Sequence, residues 1–467
     1  MFASLFFPEA KNCTEFPISV NPDLFTTTFD TLGFTEEERK DFLDRIHRGS
    51  DDPAVLTYRA QLQAEIFASA PLREILEAFS RFCALCSRAR EYVTGTTPDD
   101  ALRMLTLFEG LSGLLGAFLK KLDTFVPESA AAKRLWLFCR AYAASFEYRE
   151  LKTKAADLRR ELCMENGYTL NVGDPLAPAR TLTLKKDATP AEGIFALTQR
   201  MTESFTGEKE PAEPAPNRPY TEQEAHLIVR YLQADPKRCR KAEEFAALYL
   251  ASDTDTLLRL GKEAAFYLSA DKYYRHFSVQ GLPLCVPSFT QEREFFLEQL
   301  QYSTAAGMGK TDVALDDNVR LGVVFGPDSA AMTDAVHRAA IMGCWGGLIF
   351  AHRARIPLLK ELREDKNGNL SSKNLDAGCF CICGHLFDTL LPRQEEVAAE
   401  AVINRLAATG AYGWLRICSR NNLDSLRRKC SAKDLPACRI TEAGTDYTLD
   451  DLLKNRHRER SGENHEK

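Results

Sequence analysis

The chain has no unbroken run of roughly 18 apolar residues, and its start, Met1-Phe-Ala-Ser-Leu-Phe-Phe-Pro8, is neither basic nor followed by a long apolar stretch. A membrane span and a secretory leader are therefore not expected. Positive charge is not in excess either. Sixty Lys and Arg face 66 Asp and Glu, a net charge of -6, which excludes a wholly basic nucleic-acid binder and leaves room only for a local basic patch. Internal repeats are missing, which argues against a solenoid. At 45% hydrophobic and 27% charged residues, disorder is excluded as the main state, and 467 residues are enough for two or three packed units. The 14 cysteines do not suggest a disulfide scaffold in a chain this long without a leader. Reduced thiols and a cytoplasmic protein are expected.

From Pro22 to about Met201 the pattern is mostly helical. Between Pro127 and Gly167 neither Gly nor Pro occurs across 39 residues, enough for one rod of about 60 Å at ~1.5 Å per residue. Leu135, Phe138, Cys139, Tyr142 and Phe146 form its apolar stripe. Similar stripes run through Thr57 to Cys86 and Ala101 to Phe125. The period then changes to two in Tyr168–Val172 and Arg180–Leu184, two short strands around a Gly-Asp-Pro turn. A Pro/Glu-rich linker follows at Thr206–Pro219. Helix resumes at Thr221 behind a capping box with Glu224, and continues through Gly261 to Phe277 until Gly281-Leu-Pro-Leu-Cys-Val-Pro287 stops it.

Beyond that stop, strand and helix alternate. Leu321–Phe325 reads as a buried strand, Gly326 to Thr333 as a tight loop and Asp334 to about Phe350 as a helix. Cys379 to His385 is a second buried strand, Gln394 to Ala408 a helix and Tyr412 to Cys418 a third strand. This is βαβ grammar and predicts an α/β unit with a parallel sheet.

Two segments compete as phosphate-binding loop, where Gly-rich backbone N–H groups, a Lys and a Ser/Thr hydroxyl surround phosphate and magnesium. Thr304-Ala-Ala-Gly-Met-Gly-Lys310-Thr311 ends correctly, but Thr304 replaces the first Gly and no helix follows. It reads as a flexible polar loop. Gly326-Pro-Asp-Ser-Ala-Ala331-Met332-Thr333 has the right context and poor chemistry. Ala331 stands for the last Gly and Met332 for the Lys, and methionine cannot neutralise phosphate charge. Thr333 alone is left for magnesium.

Phe325 to Asp334, with the helical stretch Val336 to Phe350, resembles the loop and helix that open the ATPase domain of the MutS mismatch-repair family. Asp312-Val-Ala-Leu-Asp316 is similar to that family's lead-in. Ala54–Leu62 with Pro71–Phe79 resembles the start of its helical core, and Gly261 to Pro287 the end of its lever. The resemblance implies an α plus α/β fold. A leader occupies residues 1–20, a helical lever and clamp region 21–290 with a clamp-like insertion at about 167–220, a P-loop NTPase-like α/β domain with a parallel sheet 291–455, and a polar tail 456–467. ATP and magnesium would then meet Gly326, Pro327, Asp328, Ala331, Met332 and Thr333. The family's acids after the second strand are replaced here by Cys383-Gly384-His385, and its Thr-Thr-His-Asp after the third by Cys418-Ser419-Arg420-Asn421. Its signature loop is reduced to something like Asn369–Ser372 or lost. Losing the Lys, both acids and the His removes nearly every part phosphoryl transfer needs, so a pseudo-ATPase is expected, with no catalytic residue and no metal ligand assigned.

Cys379, Cys381, Cys383 and His385 share one strand face. Neighbours two apart on a strand lie about 7 Å from each other, too linear to wrap a tetrahedral zinc, so they read as core thiols. Cys83-x-x-Cys86 reads as core for want of a second pair. Phe7-x-Glu9 matches a mismatch-sensing wedge by chance. Lys185 and Lys186 after the second hairpin strand are the candidate DNA contact, and the basic Lys454–Arg460 a solvated tail. Three functions follow. The leading one is a dimeric, DNA-associated or scaffold protein without turnover in DNA repair or recombination, with DNA and a second copy as partners and no membrane. The others are a working MutS-type ATPase, served by residues such as Lys310 or Asp388, and a partner-binding structural protein with no DNA role.

Overall fold

The computed structural model describes residues 4–9, 15–18, 21–92, 95–162, 169–172, 180–183, 229, 232–233, 235–252, 255–279, 281–304, 307–364, 376–384, 392–431, 438–442 and 445–447. The linker at Thr206–Pro219, the Thr221 capping box, Lys185, Lys186, Asn369–Ser372, His385, Asp388 and the basic tail lie outside them. Helix and sheet are mixed, and the chain divides into two units. One comprises Glu74–Val126 and Leu135–Ala264, the other Phe2–Arg73, Pro127–Arg134 and Ala265–Lys467.

The first unit is helical. Its members are most of α4 (Ala70–Tyr92), α5 (Pro98–Asp123), most of α6 (Ala130–Ala144), α7 (Phe146–Leu162), α8 (Pro236–Ala251) and the first part of α9 (Asp255–Val279). Thr97 starts α5 with a capping box closed by Asp100, satisfying two of the amide groups that a helix start leaves open. By length and composition α5 is also the one described helix that passes for a membrane span. Its buried apolar side chains include Leu102, Met104, Leu105, Phe108, Leu115, Phe118 and Leu122. Phe118 packs on Phe79, and Phe108 on Tyr148 and Phe245. At the rim of these contacts Arg159 meets Glu109 at 3.0 Å and Lys154 meets Glu244 at 2.8 Å.

The expected single rod from 128 to 166 is two helices. Ser145 breaks it, because its hydroxyl accepts from the Tyr148 amide at 3.2 Å and so caps a new helix, competing with the ladder it interrupts. Leu135, Phe138 and Cys139 are buried as expected. Phe146, the last member of the stripe, is 72% exposed beyond the break. Cys83 and Cys86 are buried, free thiols, and burial pushes the Cys86 thiol up to about 12. The Cys83 Sγ lies 3.3 Å from the Leu257 carbonyl. A Cβ on Gly261 would sit 2.1 Å from the Cys83 Cβ, so only glycine lets α4 and α9 cross this closely. The period-two segments form an antiparallel hairpin, β3 (Thr169–Val172) with β4 (Arg180–Thr183), as expected.

In the second unit β1 (Glu15–Pro17) pairs with β2 (Arg48–Ser50), and α1 (Asp23–Leu32), α2 (Glu36–Ile46) and α3 (Pro53–Ala68) pack beside two sheets. The partition therefore differs from a boundary at 290. Phe25, Phe42, Phe266 and Tyr273 share one aromatic core, which joins residues far apart in sequence. Within the stretch expected as a leader, the described residues 4–9 and 15–18 belong to this unit. Leu5 and Phe6 are buried, and Phe6 stacks edge-on against Phe266 and Trp345.

Arg59 of α3 is 0% exposed, and each of its three guanidinium nitrogens has a hydrogen-bond partner. It donates to the Phe6 carbonyl at 3.1 Å, the Trp345 carbonyl at 3.1 Å and the Glu15 carboxylate at 2.9 Å. Burial, and then the Arg45 charge, draws its pKa down to about 10, which leaves it charged at neutral pH.

The smaller sheet runs β5 (Ser288–Thr290), β9 (Arg353–Pro357), β6 (Phe295–Thr304), β7 (Gly307–Leu315). Residues 307–311, expected as a flexible loop, form the first half of β7, hydrogen-bonded to β6. The larger sheet runs β10 (Glu361–Glu364), β11 (Cys379–Cys383), β12 (Tyr412–Ile417), β8 (Leu321–Phe325), β13 (Cys438–Glu442), β14 (Thr445–Tyr447). All neighbours in it are parallel except β13 and β14. One face carries Val323, Cys381 and Leu415 against α11 (Pro392–Thr409) and α12 (Arg420–Ser431). Trp414, of opposite parity on β12, reaches α10 (Ser329–Trp345) on the other face. Cys379, Cys381 and Cys383 are core thiols as expected.

Replacing Arg59 by Met leaves the Phe6 and Trp345 carbonyls without their donor and Glu15 with Arg45 as its remaining close partner, so a loss of about 3–5 kcal/mol in urea unfolding is expected. Gly261→Leu forces α4 and α9 apart and is expected to lower the thermal midpoint more than Gly116→Leu, whose added Cβ meets nothing within 4 Å.

Candidate functional site

Parallel α/β sheets bind ligands where loops leave the C-terminal ends of their strands, at the point where successive connections diverge. Here that point is the edge formed by Phe325, Cys383 and Ile417, with the described residues that follow them. The structure brings Gly326, Pro327, Asp328, Ala331, Met332 and Thr333 to this edge, but not as one loop. Only Gly326, Pro327 and Asp328 separate strand from helix, because α10 begins at Ser329 rather than at Asp334. Gly326 takes φ 120°, a conformation suited to glycine. Its carbonyl accepts from the Ser329 amide at 3.1 Å, and the Asp328 carbonyl from the Met332 amide at 3.0 Å. This is a tight turn into a helix and not a wide cradle.

Ala331, Met332 and Thr333 are already helical. Met332 and Thr333 are both buried. The Thr333 hydroxyl accepts from the Trp414 indole N–H at 3.2 Å. Its methyl fills the space that a Cβ on Gly384 would need, 2.5 Å away. Trp414 in turn leans over Gly322, where any Cβ would meet its ring at 2.3 Å. Arg416, half-buried two residues further along β12, donates to the Ser329 hydroxyl at 3.1 Å at the start of α10.

The turn after β12 is closed by a carboxylate of the protein itself. Glu395, buried in the first turn of α11, accepts from the Cys418 amide at 2.5 Å, the Ser419 amide at 3.1 Å and the Asn422 side-chain amide at 2.5 Å. A helix N-terminus attracts an anion, and at α12 that anion is Glu395.

The residues present do not fit magnesium-ATP. The turn is three residues long, a buried methionine stands where a lysine would neutralise phosphate, and the hydroxyl at the magnesium position is held under Trp414. Lys310 lies on β7, at the edge of the other sheet, and no helix follows it. Among the described residues no group of three or more His, Cys, Asp or Glu is arranged to hold a metal. Trp414, Arg416 and Glu395 were not singled out in the sequence. One signal was available, since an arginine near the end of an otherwise buried strand requires a local partner. No protein-family model matches the chain, and no curated protein does.

Met332→Lys, which restores the lysine of a phosphate loop on paper, buries an unpaired ammonium. It is expected to lower stability by several kcal/mol and to confer no ATP binding in calorimetry.

Proposed function

We propose that the chain is a MutS-like, DNA-associated protein whose nucleotide site has become a structural joint, acting as a dimeric DNA-binding or scaffold protein without ATP turnover. The observation that supports it most directly is the Thr333 hydroxyl beneath Trp414 at 3.2 Å. The hydroxyl that stands at the magnesium position of a phosphate loop is used to fasten α10 to β12. The order of elements agrees with the same reading: helices, the β3–β4 hairpin, further helices, then a largely parallel sheet with a strand–turn–helix at its edge. In that reading the hairpin stands where the MutS-like clamp would reach DNA, and the helices carry the dimer.

Calorimetry of the full chain with magnesium-ATP to millimolar concentration, with phosphate release followed in the same sample, is expected to give neither heat nor turnover. Binding that disappears in Thr333→Ala would favour a working ATPase. Duplex DNA binding by anisotropy is expected to weaken steeply between about 50 and 200 mM salt, since each neutralised phosphate contributes about -0.9 to the log–log slope. Absence of DNA binding at low salt would leave a partner-binding structural protein.

A further inference from the structure

Residues 4–9 belong to no helix or strand, yet Ser4, Leu5 and Phe6 are buried. Side chains of the second unit hold them. Three successive backbone carbonyls each accept from a different donor: that of Ser4 from the Tyr58 hydroxyl at 2.8 Å, that of Leu5 from the Tyr267 hydroxyl at 3.0 Å and that of Phe6 from the Arg59 Nε at 3.1 Å. The Ser4 hydroxyl accepts from the Phe6 and Phe7 amides at 3.1 and 3.3 Å, a local turn that fixes the shape of the segment. The Phe6 ring stands edge-on to Phe266 and Trp345, with the Arg45 guanidinium 3.8 Å from its centroid.

The walls of this socket are joined to one another without the segment. Phe266 meets Trp345 at 4.8 Å and Phe42 at 5.4 Å, and Tyr267 meets Trp345 at 5.6 Å. Arg59 is anchored separately, on the Trp345 carbonyl and on Glu15. The segment itself adds no strand to a sheet and no turn to a helix. Main-chain groups met by preplaced partners, with a pocket for one side chain, are the means by which proteins recognise peptides. Without an occupant, two buried phenols and a guanidinium N–H lose their acceptors, a cost that another peptide backbone can remove.

We propose that this socket is a peptide-recognition site whose resident ligand is the chain's own Ser4-Leu5-Phe6-Phe7, and that it accepts the same sequence supplied as a separate peptide. The three carbonyl contacts give affinity. The place beneath Arg45 selects an electron-rich aromatic ring at the third position, by cation–π attraction. In the intact chain the tethered segment keeps the socket through its high effective concentration, so a free peptide enters only where the tethered copy is weakened. The socket is at the C-terminal end of α10, and the proposal stands whatever the β8–α10 turn binds.

The test uses the full chain carrying Phe6→Ala and a dye-labelled peptide with the sequence of residues 2–9, Phe-Ala-Ser-Leu-Phe-Phe-Pro-Glu, followed by anisotropy, with thermal shift on the unlabelled peptide. Phe6→Leu, which keeps an apolar side chain in the pocket, is the milder second variant. The peptide is expected to bind both variants, to raise their thermal midpoints, and to bind the unsubstituted chain at least about ten-fold more weakly, because there the tethered copy competes. A peptide with pentafluorophenylalanine in place of Phe6, its ring quadrupole reversed, is expected to bind severalfold more weakly, and one with Ala there not at all. No binding to either variant at millimolar peptide, equal binding of the native and Ala-substituted peptides, or loss of folding in both variants that the peptide does not restore would overturn the proposal and leave the segment an inseparable part of the core.

Discussion

The buried guanidinium of Arg59 is the constraint on which the second unit depends. Taking such a charge out of water costs several kcal/mol, and the fold offsets this by bringing three acceptors to it from separate parts of the chain. Phe6 comes from the N-terminal segment, Glu15 from β1, and Trp345 from the C-terminal end of α10. The last contact is doubly favourable, because the carbonyl end of a helix carries partial negative charge. Arg45 lies over the Phe6 ring at 3.8 Å and also reaches Glu15, so the N-terminal segment is held from both sides. With this end of α10 anchored, the position of its other end at the sheet edge is set as well.

At that other end the same economy of polar groups operates. Several groups that a nucleotide would meet there are already bonded within the protein: Thr333 to Trp414, Ser329 to Arg416, and the amides after β12 to Glu395. A site of this kind gains rigidity and loses the open groups that recognise phosphate. The opposite face of α10 is different. Ala335, Arg338 and Met342 lie two, five and nine residues beyond Thr333, roughly half a turn away at ~100° per residue, and they border space that the side chains leave unfilled. One helix therefore has one face closed by polar contacts and another that borders open space.

The parts legible in the sequence were those governed by local periodicity. The hairpin at 169–183, the strands at 321–325, 379–383 and 412–417, and the helix at 392–409 all follow from alternation or from a helical stripe. Where the period slips, the reading failed. β6 buries Phe295 and Leu297, then Leu300 and Tyr302, because a bulge at Gln299, with φ 51°, inserts one residue. Alternation breaks there, and most of the smaller sheet went unread. The helix expected at 334–350 runs from 329 to 345 because the Ala-rich start favours helix and Gly346, in the left-handed conformation, ends it. Ser145 divided the long rod through one side-chain oxygen, a local bond that the apolar pattern does not record.

By itself the sequence determined the classes of its segments and the poverty of its phosphate loop, because Met332 and Ala331 are chemical facts that no folding can alter. Tertiary structure decided which groups meet. Arg59 reaches residues about fifty positions before it and nearly three hundred after it, Trp414 crosses a sheet to cover Thr333, and Tyr273 lines a cavity built from four separate segments. Periodicity specifies which face of an element is apolar. The partner of a buried charge or hydroxyl is set by the packing of whole elements, which is a property of the folded chain.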